Sequence, residues 1–178
     1  MWEQASASFD RLFWNNETEC LYDVVDREGH DASIRPNQIL AISLANPLIL
    51  KTKAKSILSV VERDLLTPRG LRKLSPNDRA YRGSYEGDQR SRDGAYHQGT
   101  VWPWLMGPYI TAYVKTFGTT AGQEFAAQWL NDFLPHLEEA GLGQVSEIFD
   151  GDPPHSPRGC IAQAWSVAEV LRAACEDV

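Results

Sequence analysis

A chain of 178 residues, 43% of them hydrophobic, has the length of a single domain and enough apolar material for a core. Seventeen basic residues against 24 acidic ones leave a formal charge of -7, which argues against a nucleic-acid backbone or an anionic membrane surface as partner. Cys20, Cys160 and Cys175 show no CxxC or Cys/His spacing, and there is no signal peptide and no apolar run of about 18 residues, so a reducing, cytoplasmic setting is expected, with the cysteines as small buried hydrophobes and with no metal or cofactor.

Trp2, Ala5, Phe9, Leu12 and Phe13 fall on one face at helical spacing and predict an amphipathic helix. Residues 15–35 carry turn chemistry around the short apolar group LYDVV. Pro36 suits the first turn of a helix, and the small and apolar residues from Ile39 through Ala45 predict that this helix is buried on most sides until Asn46 and Pro47 end it. Ala54, Ile57, Leu58, Val61 and Leu65 then mark a half-exposed helix behind a Thr52 cap.

Residues 67–99 read as a long irregular loop, and its Tyr81, Tyr85 and Tyr96 favour an ordered, ligand-lining loop over a linker. Thr100 is a plausible cap for a second buried helix carrying Met106, Tyr109, Ile110, Tyr113, Val114 and Phe117, which Pro108 should bend or interrupt. After Gly118 the stripe Phe125, Trp129, Leu130, Phe133, Leu134 and Leu137 predicts another half-exposed helix. A polar loop, SEIFDGDPPHSPRG, then opens into a final, mostly apolar helix with Ile161, Ala164, Trp165, Ala168, Leu171 and Cys175.

The order is half-exposed then buried, three times over, with no strand run beyond short pieces within the loops. The fold class expected for residues 1–178 is therefore one all-α domain. The buried helices recur at about 60 residues, too long for the common short helical repeats. Each follows a long polar loop, which suits an arc of about three helical hairpins from an (α/α) toroid, with a right-handed α-solenoid as the other packing.

Four stretches, DASIRPNQILAISL, LLTPRGLRKLSP, YHQGTVWPWLMGPYI and SEIFDGDPPHSPRGCIAQAWSVAEVL, closely resemble the carboxyl-terminal glucosidase domain of glycogen debranching enzymes, in that family's order and over most of the chain. The resemblance implies the second half of a six-hairpin (α/α) glycosidase toroid that hydrolyses α-1,6-linked glucose with inversion. It gives Glu147 the role of general base. Inverting glycosidases place acid and base about 6.5–9.5 Å apart with water between base and sugar. The family's acid is an Asp in a TWMD-like motif, which has no counterpart here, since Trp14 is followed by Asn15 and Asn16. The chain is thus expected to begin beyond the acid and to be inactive, or nearly so, alone.

The resemblance also implies that Arg35, Asn37, Gln38, Tyr96, His97, Gln98, Trp102, Trp104, Asp150 and Trp165 line the sugar pocket. Aromatic faces with amides, carboxylates and Arg are the groups sugars require. Blander readings stand beside these. Tryptophans are more often core than platform, of which one or two would line the site; His97 is more often a hydrogen-bonding residue than a metal ligand; Arg35 and Arg158 could be clamps on Asp31 and Asp150; and Ser146 has no His partner or GxSxG elbow. Three functions follow: a glucosidase half acting on an α-glucan or maltooligosaccharide, a non-catalytic glucan-binding or interaction module, and one subunit of a split enzyme. An open arc leaves apolar flanks, so a homo-oligomer or a complementing chain over the open half is expected.

Overall fold

The computed structural model describes residues 1–177. Helix α1, Trp2–Phe13, leads into two small antiparallel hairpins, β1 (Trp14–Asn15) with β2 (Cys20–Leu21) and β3 (Val24–Val25) with β4 (His30–Asp31). Pro36–Ile39 form a 3-10 turn that runs into the short α2, Leu40–Ser43, so the predicted helix to Ala45 ends earlier. Helix α3, Lys51–Asp64, presents Ala54, Ile57, Leu58 and Val61 inward as its spacing requires. Its cap is Leu50, not Thr52, and no side chain caps it.

The stretch after α3 departs from the irregular loop expected. β5 (Leu66–Thr67) and β6 (Gly70–Arg72) form a hairpin, and α4 (Gln89–Ala95) follows. The local signal for α4 is Asp88, whose side chain accepts the Ser91 N–H (2.8 Å), an N-cap that satisfies one of the helix's orphan donors. Thr100 caps nothing; Val101–Trp102 form β7, and the Thr100 hydroxyl donates to the Tyr96 carbonyl (2.6 Å) and accepts the Trp102 indole N–H (3.0 Å). Beyond the 3-10 turn Pro103–Leu105 comes α5, Met106–Phe117. Pro108 does not interrupt it, because it lies in the first turn, where its missing N–H has no intrahelical acceptor to serve.

Helix α6, Thr119–Phe133, is followed by a 3-10 turn over Leu134–Glu138, then β8 (Ile148–Phe149), β9 (Pro157–Arg158) and α7, Ala164–Glu176. The strands are short pieces within loops, as the sequence suggested, yet five of them join one antiparallel sheet in the order β5-β6-β7-β8-β9. Its registers, Leu71 opposite Trp102, Val101 opposite Phe149 and Ile148 opposite Arg158, draw three polar loops to one place.

The molecule is built around α5, which packs against α2, α3, α6 and α7 and buries Tyr109, Ile110 and Ala112 completely. Gly122 lets α6 approach, since a Cβ there would stand 2.4 Å from Val114 Cγ2. Arg172 ties α7 to α5: it donates to Thr111 Oγ1 (3.1 Å) and pairs with Asp177 (3.1 Å), while Thr111 donates to the same Asp177 (2.8 Å). The expectation that the last helix is buried is not met. Only Ser166 and Ala173 of α7 are buried, whereas Trp165 and Leu171 are 50% and 58% exposed, and Ile161 lies before the helix, 63% exposed. Its apolar residues run around the helix, and α5 and α6 cover one side. Cys20 is buried as expected, but Cys160 and Cys175 are exposed.

Candidate active site

β8 begins one residue after Glu147, and its neighbour β7 ends at Trp102. Tyr96 closes the C-terminus of α4. The sheet and α4 therefore bring a carboxylate, a phenol and an indole together from stretches with no local connection. The Glu147 carboxylate is held by three donors. The Tyr96 hydroxyl and the Gln163 side-chain amide (3.2 Å) donate to Oε1, and the Cys160 backbone N–H donates to Oε2 (2.9 Å). The Glu147 N–H in turn donates to the Cys160 carbonyl (2.8 Å). Gly159 makes that approach possible: at φ 67°, a Cβ would sit 2.5 Å from Oε2.

Each carboxylate oxygen has two lone-pair sites. Both on Oε1 are taken and one on Oε2 is taken, which leaves one acceptor position on Oε2 for a water or hydroxyl. Gln163 also accepts the Ala164 N–H (3.1 Å), the first donor of α7, so this one side chain couples the carboxylate to the helix start.

An aromatic wall stands beside the carboxylate. Trp102 meets Tyr96 edge-on (4.9 Å between centroids), His97 stacks on Trp102 (5.3 Å), and Trp165 meets both Trp102 (6.1 Å) and Trp104 (6.0 Å). Trp102 is 3% exposed and serves as core backing, with Trp165 half-exposed and Trp104 half-buried in front of it. Burial, and then the charges of Lys73 and Arg35, push the His97 pKa below its ordinary value, so His97 faces the site as a neutral ring. Among the described residues no cluster of three or more His, Cys, Asp or Glu side chains could hold a metal ion.

The remaining candidate residues are placed differently. Arg35 is a clamp, as one reading allowed, but not on Asp31: its Nη1 donates to the carbonyls of Lys73 (3.0 Å) and His97 (2.8 Å), its Nη2 to Gln98 Oε1 (2.6 Å), and its Nε lies 3.5 Å from Asp23. Asn37 donates to Asp23 (2.9 Å), and the buried Gln38 accepts the Leu21 N–H (3.2 Å) while donating to the Arg35 carbonyl (3.0 Å). Arg35, Asn37 and Gln38 border a cavity of about 270 Å³ against α1 and α2, a separate hollow that Glu147 does not line. Arg35 and Gln98 link the two regions. Asp150 is buried and turned inward: Oδ1 accepts the Tyr85 N–H (2.7 Å), and Oδ2 accepts Nε and Nη2 of Arg158 (2.9 Å each).

The structure brings Glu147, Tyr96, His97 and the three tryptophans together and adds Gln163 and the Cys160 N–H to the cluster. Gln163 had a signal, lying in the same motif one residue before the helix. The Cys160 donor had none, because it is backbone.

The phenol gives a pH test. Burial first, then the bond to Glu147 and its charge, raise the Tyr96 pKa well above the ordinary 10.0. A raised pKa means the contribution to stability is complete below the unfolded value and is lost as pH rises through the folded one. Tyr96→Phe is expected to be about 1 kcal/mol less stable in neutral urea denaturation, and to lose less stability than the native chain as pH climbs past 10. Two parallel stability curves would refute the bond's role.

Comparison with known proteins agrees with this architecture. The family model for amylo-alpha-1,6-glucosidase matches residues 1–172. The glycogen debranching enzyme of Saccharomyces cerevisiae is 34% identical over 89 residues, which is 47% of this chain and 6% of that protein. Among solved structures, a GH63 mannosylglycerate hydrolase from Thermus thermophilus superposes with a TM-score of 0.68 at 17% identity, over 95% of this chain and 36% of its own. Neutral trehalase from Saccharomyces cerevisiae gives 0.68 at 15% identity, over 98% of this chain and 30% of its own. The chain thus spans a small part of the curated relative and well under half of these structures. Their shared fold is helix-rich and carries glycoside hydrolases. No helix among the described residues is long and apolar enough to cross a membrane.

Proposed function

The chain belongs to the amylo-α-1,6-glucosidase family, and from that premise we propose that it forms the second half of an inverting α-1,6-glucosidase site in which Glu147 is the general base. The observation that carries this reading is the seat of Glu147, a carboxylate fixed by three donors with one acceptor position left open beside an aromatic wall. That position would take a proton from the attacking water. Trp165 and Trp104 would offer their faces to a glucose ring, with His97 and Gln98 as polar contacts. The substrate is a branched α-glucan or maltooligosaccharide and the setting cytoplasmic.

The family resemblance puts the acid partner in a TWMD-like motif, which residues 1–178 do not contain. Helices α2, α5 and α7 stand in a row, with α5 in the middle and α3 and α6 packed on it, an arrangement suited to the inner and outer layers of a three-hairpin arc. Exposed Leu44 near one end and Leu171 at the other are the flanks that the remaining hairpins would cover, whether in one polypeptide, in a complementing chain or, less completely, in a second copy.

The chain alone is expected to release no glucose from a branched limit dextrin. Adding a polypeptide with the amino-terminal hairpins should restore release, with β-glucose as the first anomer seen by NMR. Glucose released by the chain alone, or α-glucose as the first product, would overturn the reading. Binding of maltooligosaccharides by the chain alone, lost in Trp165→Ala, with no activity on complementation would favour a glucan-binding module instead.

A further inference from the structure

The carboxylate of Glu147 is held by Tyr96, Gln163 and Cys160 and its own N–H by the Cys160 carbonyl, while the main chain one residue before it is held by a group outside that cluster. His136, in the 3-10 turn after α6, has no exposed surface. Its ring packs edge-on against Phe149 (4.7 Å) and beside Phe133 (5.4 Å). Its Nε2 accepts the backbone N–H of Ser146 (3.2 Å), and its Nδ1 faces Glu139 Oε2 (3.3 Å), whose other oxygen pairs with Arg69 (2.6 Å). We infer that His136 is a positioning residue for Glu147, a buried neutral imidazole that fixes the peptide between Val145 and Ser146, one residue before Glu147, and thereby helps aim the carboxylate.

The tautomer follows from hydrogen-bond logic. A backbone N–H can only donate, so Nε2 must be bare, and the single ring proton must sit on Nδ1, where Glu139 accepts it. Glu139 and Arg69 are the charged groups facing the ring; the α6 and β8 residues against it, Phe133 and Phe149, are apolar. A proton added at Nε2 would set N–H against N–H in a fully buried site, so protonation breaks the bond to Ser146. Burial, and to a lesser extent Arg69, lower the His136 pKa, against the opposing pull of Glu139. A lowered His pKa means that the neutral, bonded form and its stabilisation are present above the unfolded value and are lost as pH falls through the folded one. The 144–147 segment therefore stays fixed at neutral pH and loosens in acid.

This inference rests on Glu147 being the functional carboxylate, and its test does not pass through activity. In the isolated chain, nitrogen NMR should show Nε2 of His136 unprotonated and Nδ1 protonated at pH 7. Amide exchange protection should fall about tenfold to a hundredfold at Ser146 in His136→Phe. It should fall also at Cys160, whose N–H reads the Glu147 carboxylate itself. His136→Gln, whose amide can accept from Ser146 and donate to Glu139, should restore both. Lowering the pH should reduce the protection factors of both amides in the native chain and leave them flat in His136→Gln. A protonated Nε2 at neutral pH, or unchanged protection at Cys160 in a folded His136→Phe, would overturn the assignment. If instead these results hold and Glu147→Gln leaves the completed enzyme's hydrolysis intact, the reading of Glu147 as base has failed while the positioning contact stands.

Discussion

Glu147→Gln is expected to lower glucose release by the completed enzyme about a hundredfold to ten-thousandfold, the range a positioned general base supplies, while the chain stays folded. Glutamine has the shape of glutamate but cannot satisfy the same three donors. With its amide nitrogen at the Oε2 position it opposes the Cys160 N–H; with the nitrogen at Oε1 it opposes the Gln163 amide, which is already committed to Ala164. Either orientation leaves one donor unmatched, costing about 1–2 kcal/mol. The tyrosine hydroxyl can rotate to accept and adds no further penalty. The decisive measurement is chemical rescue. Azide needs no proton removed, so it should restore turnover of an activated α-glucosyl substrate in Glu147→Gln and yield the β-glucosyl azide that inversion dictates. Loss of activity without rescue would reduce Glu147 to a structural carboxylate; near-native activity in the variant would remove it from the mechanism.

What the sequence made visible follows from how local each signal is. Helices α1, α3, α5 and α6 carry their inward residues at a 3.6-residue period, so Ala54, Ile57, Leu58 and Val61, or Phe125, Trp129 and Phe133, announce a helix without knowledge of its surroundings. The five-stranded sheet is the opposite case. Its strands have two or three residues, too few to show alternation, and Leu71–Trp102 or Val101–Phe149 are partners set by the packing of distant loops. Helix α7 failed for a third reason: an apolar residue says that burial is favourable, not that a partner is present, and Trp165 and Leu171 remain uncovered in this chain.

The site divides along the same line. Glu147, Tyr96, Trp102 and Trp165 sit in recognisable stretches, and the sheet and α4 bring those stretches together. Arg35 was assigned the wrong acidic neighbour because Asp31 is four residues away in sequence but uses its carboxylate on the Ser33 N–H (2.8 Å), while the β3–β4 hairpin carries Asp23 towards Arg35. Proximity in sequence was a poor guide to pairing once an Asx turn had claimed the nearer carboxylate.

Asp150 is where the pocket-lining role implied by resemblance and the observed geometry pull hardest against each other, and Arg158→Met should separate them. Arg158 is 35% exposed at its side chain and Asp150 is 9% exposed, so the pair is unequal. Removing the guanidinium strands a buried carboxylate with the Tyr85 N–H as its remaining donor in the fold. That should cost about 3 kcal/mol, or about 6–12 °C in Tm for a chain of this size. Asp150→Asn should cost less, about 1–2 kcal/mol, because its carbonyl still accepts from Tyr85 and the released Arg158 can reach water. The double variant should cost less than the sum of the two, since each single variant breaks the same pair. Asp150 is then a brace for the loop between β8 and β9, and through β8 for Glu147, and its effect on sugar affinity should track stability across the three variants. If Asp150→Asn weakens maltooligosaccharide binding while Arg158→Met unfolds no earlier than the native chain, the order of duties reverses. The carboxylate would then be kept for the sugar, and the arginine would be a dispensable neighbour.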